Sequence, residues 1–224
     1  MFSRSPRTVA GVVVVLALSV VQVALAEVPV SRFTAADQAA AKAAVLTMAD
    51  FDPGGGWKGG LHKNAKAFTG SDCPGLWEPK QSDLVITGVA VSEFSAPGAE
   101  LATGAQVYKT AGMAKLDWAR TVALPAALTC MRKQAVAAST PSLRLVSMKR
   151  APFPRIGERT LRIRTIVAYT PKGGKTVRLL VDEVMFGRGR TGVALSFTVP
   201  YAHRARADAT ELALARFLDS RIRV

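Results

Sequence analysis

Residues able to perform acid-base or nucleophilic chemistry are scarce in this chain. Its two histidines are His62, in Gly60-Leu61-His62-Lys63-Asn64, and His203, next to Arg204. Each reads most simply as a solvated side chain; a catalytic or metal-binding role would need them to converge with carboxylates. HExxH, GxSxG and SxxK, patterns that set a metal or nucleophile beside a base, do not occur. Gly174-Lys175-Thr176 matches the end of a phosphate-binding loop. Tyr169 stands where that loop needs its first glycine, however, and no helix is expected to follow, so a hairpin turn is the better account. The glycines at 54–56 and 59–60 likewise lack a strand-to-helix setting, and Trp57 beside them reads as a core anchor. Asp182 and Glu183 are adjacent in a strand-like run, hence on opposite faces, and cannot form a catalytic dyad.

Arginine supplies a more informative set. Arg162 and Arg164 alternate onto one face of a strand, Arg178 falls on the next strand, and Arg188 and Arg190 stand at the following turn. Neighbouring strands lie about 4.8 Å apart, so these five guanidinium groups could gather on one sheet face. The plain version is a solvated outer face laced with salt bridges, Asp182 or Glu183 among the partners. The sharper version is an anion-binding surface. Cys73 and Cys130 allow a single intrachain pairing, and in an exported protein the oxidised pair is expected. With no CxxC or Cys-His cluster beside them, neither redox nor metal chemistry is indicated, and no cofactor is expected.

The elements that would position these residues follow from periodicity. From Gly157 to Pro200 the chain reads as three consecutive strands joined by short Gly turns, a meander. Earlier, Leu84 to Phe94 and Ala102 to Thr110 read as a strand pair, and Leu143 to Met148 as another strand. Thr34 should cap a first helix running to about Ala49, with Asp37 near its positive end. A central helix from Gly112 towards Gln134 should kink or split near Leu124, ahead of Pro125. The last helix, Asp208 to Ile222, offers Leu214, Phe217, Leu218 and Ile222 to one face of the sheet. Lys58 to Asp83 shows no sustained period and reads as a long irregular segment. The expected fold class is therefore α+β: an antiparallel sheet of about six strands covered by N-terminal, central and C-terminal helices.

At the N-terminus, Arg4 and Arg7 precede an apolar run from Val9 to Val21 and then Ala24-Leu25-Ala26. These are the marks of a secretory signal peptide over residues 1–26, cleaved after Ala26; the alternative is an uncleaved membrane anchor. Residues 27–33 read as a short tether and 34–224 as a single domain. Loss of Arg4 and Arg7 leaves 28 basic against 16 acidic residues, a net charge of +12. Of that, +10 falls between Lys149 and Val224. Such a balance favours anionic partners: a cell-wall polymer, a lipid headgroup or a small ligand. Export and the lack of interleaved aromatics argue against nucleic acid.

The segment Leu46-Thr47-Met48-Ala49-Asp50-Phe51-Asp52-Pro53-Gly54-Gly55-Gly56-Trp57 ends a helix in an acidic, Gly-rich turn. With Cys73, Cys130, Phe153-Pro154-Arg155-Ile156-Gly157-Glu158 and the sheet that follows, it resembles the PknH-type extracellular sensor domain of actinobacteria over roughly Ala43 to Arg221. A related likeness is the PsbP/Mog1-like α/β/α sandwich. The resemblance implies an antiparallel sheet packed by helices, a surface cleft, and ligand sensing or binding without catalysis. The sensor family commonly carries a second disulfide, which two cysteines cannot supply, and this chain has no kinase domain. The reading is thus an exported, non-catalytic ligand-binding or sensor-like domain of the cell envelope. A secreted hydrolase using His62 or His203 and a structural or assembly protein are the alternatives.

Overall fold

The long alternating runs form strands, and two stretches without a visible period join them. In the computed structural model, which describes residues 28–66 and 73–222, the strands are β1 Val30–Ser31, β2 Lys58–Leu61, β3 Val85–Ala96, β4 Ala99–Tyr108, β5 Leu143–Ala151, β6 Arg159–Tyr169, β7 Val177–Arg188 and β8 Thr191–Pro200. The helices are α1 Ala35–Ala43, α2 Ala111–Arg120, α3 Pro125–Ala137 and α4 Arg204–Arg221. One sheet contains all eight strands, in the order β1-β3-β4-β8-β7-β6-β5, with β2 also paired to β3.

This corrects the expected fold class of about six antiparallel strands: the sheet is eight-stranded and mixed, because β1 runs parallel to β3. Of this parallel pair, β1 falls within the expected tether. Backbone N–H groups of Val30 and Arg32 donate to the carbonyls of Leu84 and Ile86, at 2.9 and 2.8 Å. Two residues are too few to display a strand period. In β2, Lys-Gly-Gly-Leu has no alternation to read, and its glycine serves close approach. Gly59 sits at φ 141°, and a Cβ there would lie 2.0 Å from the Glu93 carbonyl oxygen.

Thr34 caps α1 as expected, its hydroxyl accepting from the Asp37 N–H at 3.1 Å, but α1 stops at Ala43. The central helix splits where Pro125 forces it to. Leu124 is extended at ψ 133°, and Pro125 opens α3 at a position whose N–H has no helical partner to lose.

Helices α1 and α4 pack on one face of the sheet over a core that fully buries Leu180, Val184 and Leu195, each such side chain contributing about 2 kcal/mol. In α4 the buried residues are Ala207, Glu211, Ala215 and Leu218. Leu214 is half-buried, while Phe217 is exposed and lies under the Arg221 guanidinium at 4.0 Å. The stripe expected from Leu214 and Phe217 is rotated because small Ala207 and Ala215 let the helix come close. Its acids can then meet the sheet. Residues 1–26, read as a signal peptide, lie outside the described residues. Among the described ones, no helix is long and apolar enough to cross a membrane.

Candidate functional site: a groove beneath the α2–α3 arm

Four of the five candidate anion-binding arginines are committed to carboxylates, and they correct the expected arginine surface. Arg162, 8% exposed, donates to Asp208 at 2.5 Å, to Glu211 at 3.4 Å and to the Pro152 carbonyl at 2.5 Å. Arg164 donates through Nε to both oxygens of Asp182 at 2.9 Å and through Nη2 to Asp208 at 2.6 Å. Arg188 pairs with Asp219 and Arg190 with Asp37, each at 2.7 Å. These sheet arginines hold α4 and α1 down rather than facing a ligand. Only Arg178 of the set is exposed and without an ion pair among the described residues. Ala168 separates it from Arg144, also exposed, on the far strand.

Asp182, Asp208 and Glu211 bring three carboxylates within 4.8 Å of one another, a spacing that suits a metal ion. The guanidinium groups of Arg162 and Arg164 already occupy that spot. Burial, then the Asp182 charge, pushes the Glu211 pKa up to about 8. With Glu211 protonated, two arginines balance two carboxylates. Burial alone would raise Asp208, but Arg164 and Arg162 outweigh it and hold it below its usual value.

The opposite face carries the concavity. Side chains alternate along β8, so when Val193, Leu195, Phe197 and Val199 face the core, Gly192, Ala194, Ser196 and Thr198 face the other way. On neighbouring β4 that face presents Ala102 and Gly104, placed opposite Ser196 and Ala194 by the register. Small residues on two central strands leave a trough, which α2 and α3 span without filling. Two cavities result, of about 480 and 580 Å³, each within the range of small-molecule sites. They meet at Glu93, Ala102, Met131, Glu183 and Ser196, which line both. The rest of the lining is mainly apolar: Val91, Ile163, Met185 and Leu128 in the first, Val167, Val181, Leu145 and Met148 in the second.

A cross-sheet row gives the floor its polarity. Glu93, Ala102, Ser196, Glu183, Ile163 and Arg150 stand opposite one another in successive strands. Glu183 is half-buried and lines both cavities, so its remaining exposure is towards the groove. Burial raises its pKa, and no hydrogen bond or ion pair reaches its carboxyl among the described residues. Glu100 is raised as well, by burial and then by the charge of Glu93. Of the basic lining residues, Lys58 stands exposed at the rim, Arg150 is engaged, and Arg159 is engaged in part, its buried Nη1 having no hydrogen-bond partner among the described residues. Arg150 donates to the carbonyls of Val122 and Ala123 at 3.1 and 2.7 Å, and Arg159 to that of Gly189 at 3.3 Å, with Glu158 3.6 Å away. At one end the Tyr108 hydroxyl donates to Asp117 at 2.6 Å and accepts from Gln106 at 3.3 Å. Burial drives both the Tyr108 and the Asp117 pKa upward, so this hydroxyl stays protonated.

The arm above the groove is stapled to its wall by the expected Cys73–Cys130 disulfide. Cys130, in α3, is fully buried with Trp77 and Ala127, and the Trp77 indole N–H donates to the Arg120 carbonyl at 2.9 Å. His62 lies 3.2 Å from Glu93 at the rim, both side chains exposed at 48% and 61%; His203 is exposed at the start of α4. The two histidines do not converge. Trp57 packs on Phe51 at 4.9 Å, and Phe51 on Phe94 at 4.6 Å, an aromatic anchor at the sheet edge.

Sequence reasoning passed over Glu183, Glu93, Tyr108 and Asp117 as site residues. One legible signal was the alternation of small residues in Gly192-Val193-Ala194-Leu195-Ser196 with a strand partner that also carries Ala102 and Gly104.

No protein-family model matches the chain, and no curated protein does. Among solved structures it is similar to PA94 from Pseudomonas aeruginosa, a protein of unknown function titled a putative regulator. The match covers 69% of this chain and 94% of that one, at 12% identity and a TM-score of 0.29. A likeness that low bears on neither fold nor function.

Proposed function

We propose that the chain is an exported, non-catalytic ligand-binding domain, and that its ligand lies in the groove between the sheet and the α2–α3 arm. The observation that carries this reading is the pair of cavities meeting over a floor emptied by Ala102, Gly104, Ala194 and Ser196. An interior packed to ordinary density leaves no such space. A disulfide suits an oxidising compartment, in keeping with export. The His62–Glu93 pair is exposed, and no nucleophile joins it among the hydrogen bonds of the described residues, so hydrolysis is the weaker reading. An anionic partner, favoured by the net charge, has lost four of its five arginines to carboxylates; Arg178 with Arg144 is what remains for it.

A neutral apolar dye that fluoresces on leaving water tests the groove. The native protein should take it up saturably, and Ala194→Trp should cut uptake at least tenfold while far-UV circular dichroism stays unchanged. Equal uptake by the two proteins would place the binding elsewhere and sink the proposal.

A further inference from the structure

We infer that the groove selects amphiphiles whose head is cationic, an amine or quaternary ammonium on an apolar body, with Glu183 as the counter-ion. The inference rests on the groove being the ligand site and adds the chemical class of the ligand. Three observations converge on it.

Glu183 stands where the two cavities join, on a floor otherwise made of small and apolar side chains. Its neighbours across the strands are Ser196 and Ile163. The buried acids lie against arginines: Asp182 against Arg164, Asp37 against Arg190 and Glu211 against Arg162. Glu183 and Glu100, half-buried in the groove, have no such partner among the described residues, and of the two it is Glu183 that stands where the cavities meet. A half-buried carboxylate in apolar surroundings gains most from a partner that brings a positive charge, because desolvation has already weakened its hydration.

The local charge also points this way, although the whole chain is strongly basic. Glu93 and Glu100 share the groove with Glu183. Arg150 and Arg159 face the first cavity and donate to carbonyls, Arg159 keeping its buried Nη1 without a hydrogen bond 3.6 Å from Glu158, and Lys58 stands exposed at the rim of the second. From α3 only uncharged side chains enter, Met131 and Leu128 among them. An anionic head would thus meet an unpaired carboxylate at the one point common to both cavities. An apolar tail could lie to either side of that point under α3.

Three twelve-carbon probes of equal length separate the possibilities: dodecylammonium, dodecanol and dodecanoate, each titrated below micelle-forming concentration into the oxidised protein at neutral pH. Dodecylammonium should bind at least tenfold tighter than dodecanol, and dodecanoate more weakly than either. Glu183→Gln keeps the side-chain shape, so it should retain dodecanol binding and bring dodecylammonium to the same affinity. A preference for dodecanoate would overturn the inference, and so would an ammonium preference that survives Glu183→Gln. Binding of all three probes without a charge preference would overturn the inference and leave the groove itself standing. Failure of all three to bind would overturn both.

Discussion

Glu211 shows how a buried charge can be made tolerable by a proton. Its pKa is pushed up to about 8 from an ordinary 4.5, by burial and by Asp182, while Arg162 and Arg164 pull the other way. A carboxyl raised in the folded state holds a proton that the unfolded chain releases, so folding is favoured at low pH and loses ground as pH climbs from about 4.5 towards 8. Asp208 and Asp37 are lowered, Asp37 chiefly by its bond from Arg190, and act below that window; their contribution fades as pH falls under 3.8. Denaturant melts between pH 5 and 8 should show stability dropping by up to about 1.4 kcal/mol per pH unit. In Glu211→Gln that slope should flatten, though not vanish, since Glu183 and Asp117 are also raised. An unchanged slope would mean that Glu211 is ionised in the knot. The same knot sets a contrast among the arginines. Arg164→Met leaves buried Asp182 without its hydrogen-bonded arginine, only Arg162 remaining 3.8 Å away, and should cost about 3 kcal/mol, whereas Arg178→Met, at an exposed position, should stay within about 0.5 kcal/mol. Equal costs in equilibrium unfolding would contradict the division drawn between them. Alternation put Arg162 and Arg164 on one face and left open whether Asp182 or Glu183 met them there. It could not say that α4 would cover that face, because a strand pattern defines two sides and leaves open which one a distant helix takes.

At the scale of elements, the meander and its turns were legible because each strand exceeds nine residues, β8 alternates, β7 is almost wholly apolar, and short Gly turns join them. The split of the central helix was legible because proline acts locally on its neighbours. β1 and β2 were not, since two residues have no period and a Gly-Gly strand exposes no pattern. The disulfide was legible from compartment and count, but its mechanical role required the arm to be seen. Cys130 joins the groove's roof to the loop at Cys73, across a sequence separation of 57. In the chain-entropy account such a closure stabilises by about 4 kcal/mol. Cys73→Ser with Cys130→Ser should therefore lower the unfolding free energy by roughly that amount, and dye affinity for the groove should fall as α3 loses its anchor. Affinity unchanged in the double variant would show that Trp77 and Arg150 suffice to hold the arm.

For the whole molecule, the sheet divides labour between its faces. One is sealed by α1 and α4, with four sheet arginines paired to carboxylates beneath them, and the other is left partly hollow under α2 and α3. Composition announced a basic protein and pointed to an anion surface, because net charge carries no information on which charges neutralise each other inside. The hollow has a cost of its own. Larger side chains at Ala102, Gly104, Ala194 or Ser196 would recover the dispersion contacts that empty space forfeits, so heat resistance and ligand uptake pull these four positions in opposite directions. A laboratory lineage of this protein bred only for survival at high temperature should accumulate bulky replacements there first, and its survivors should emerge sturdier and blind to their ligand.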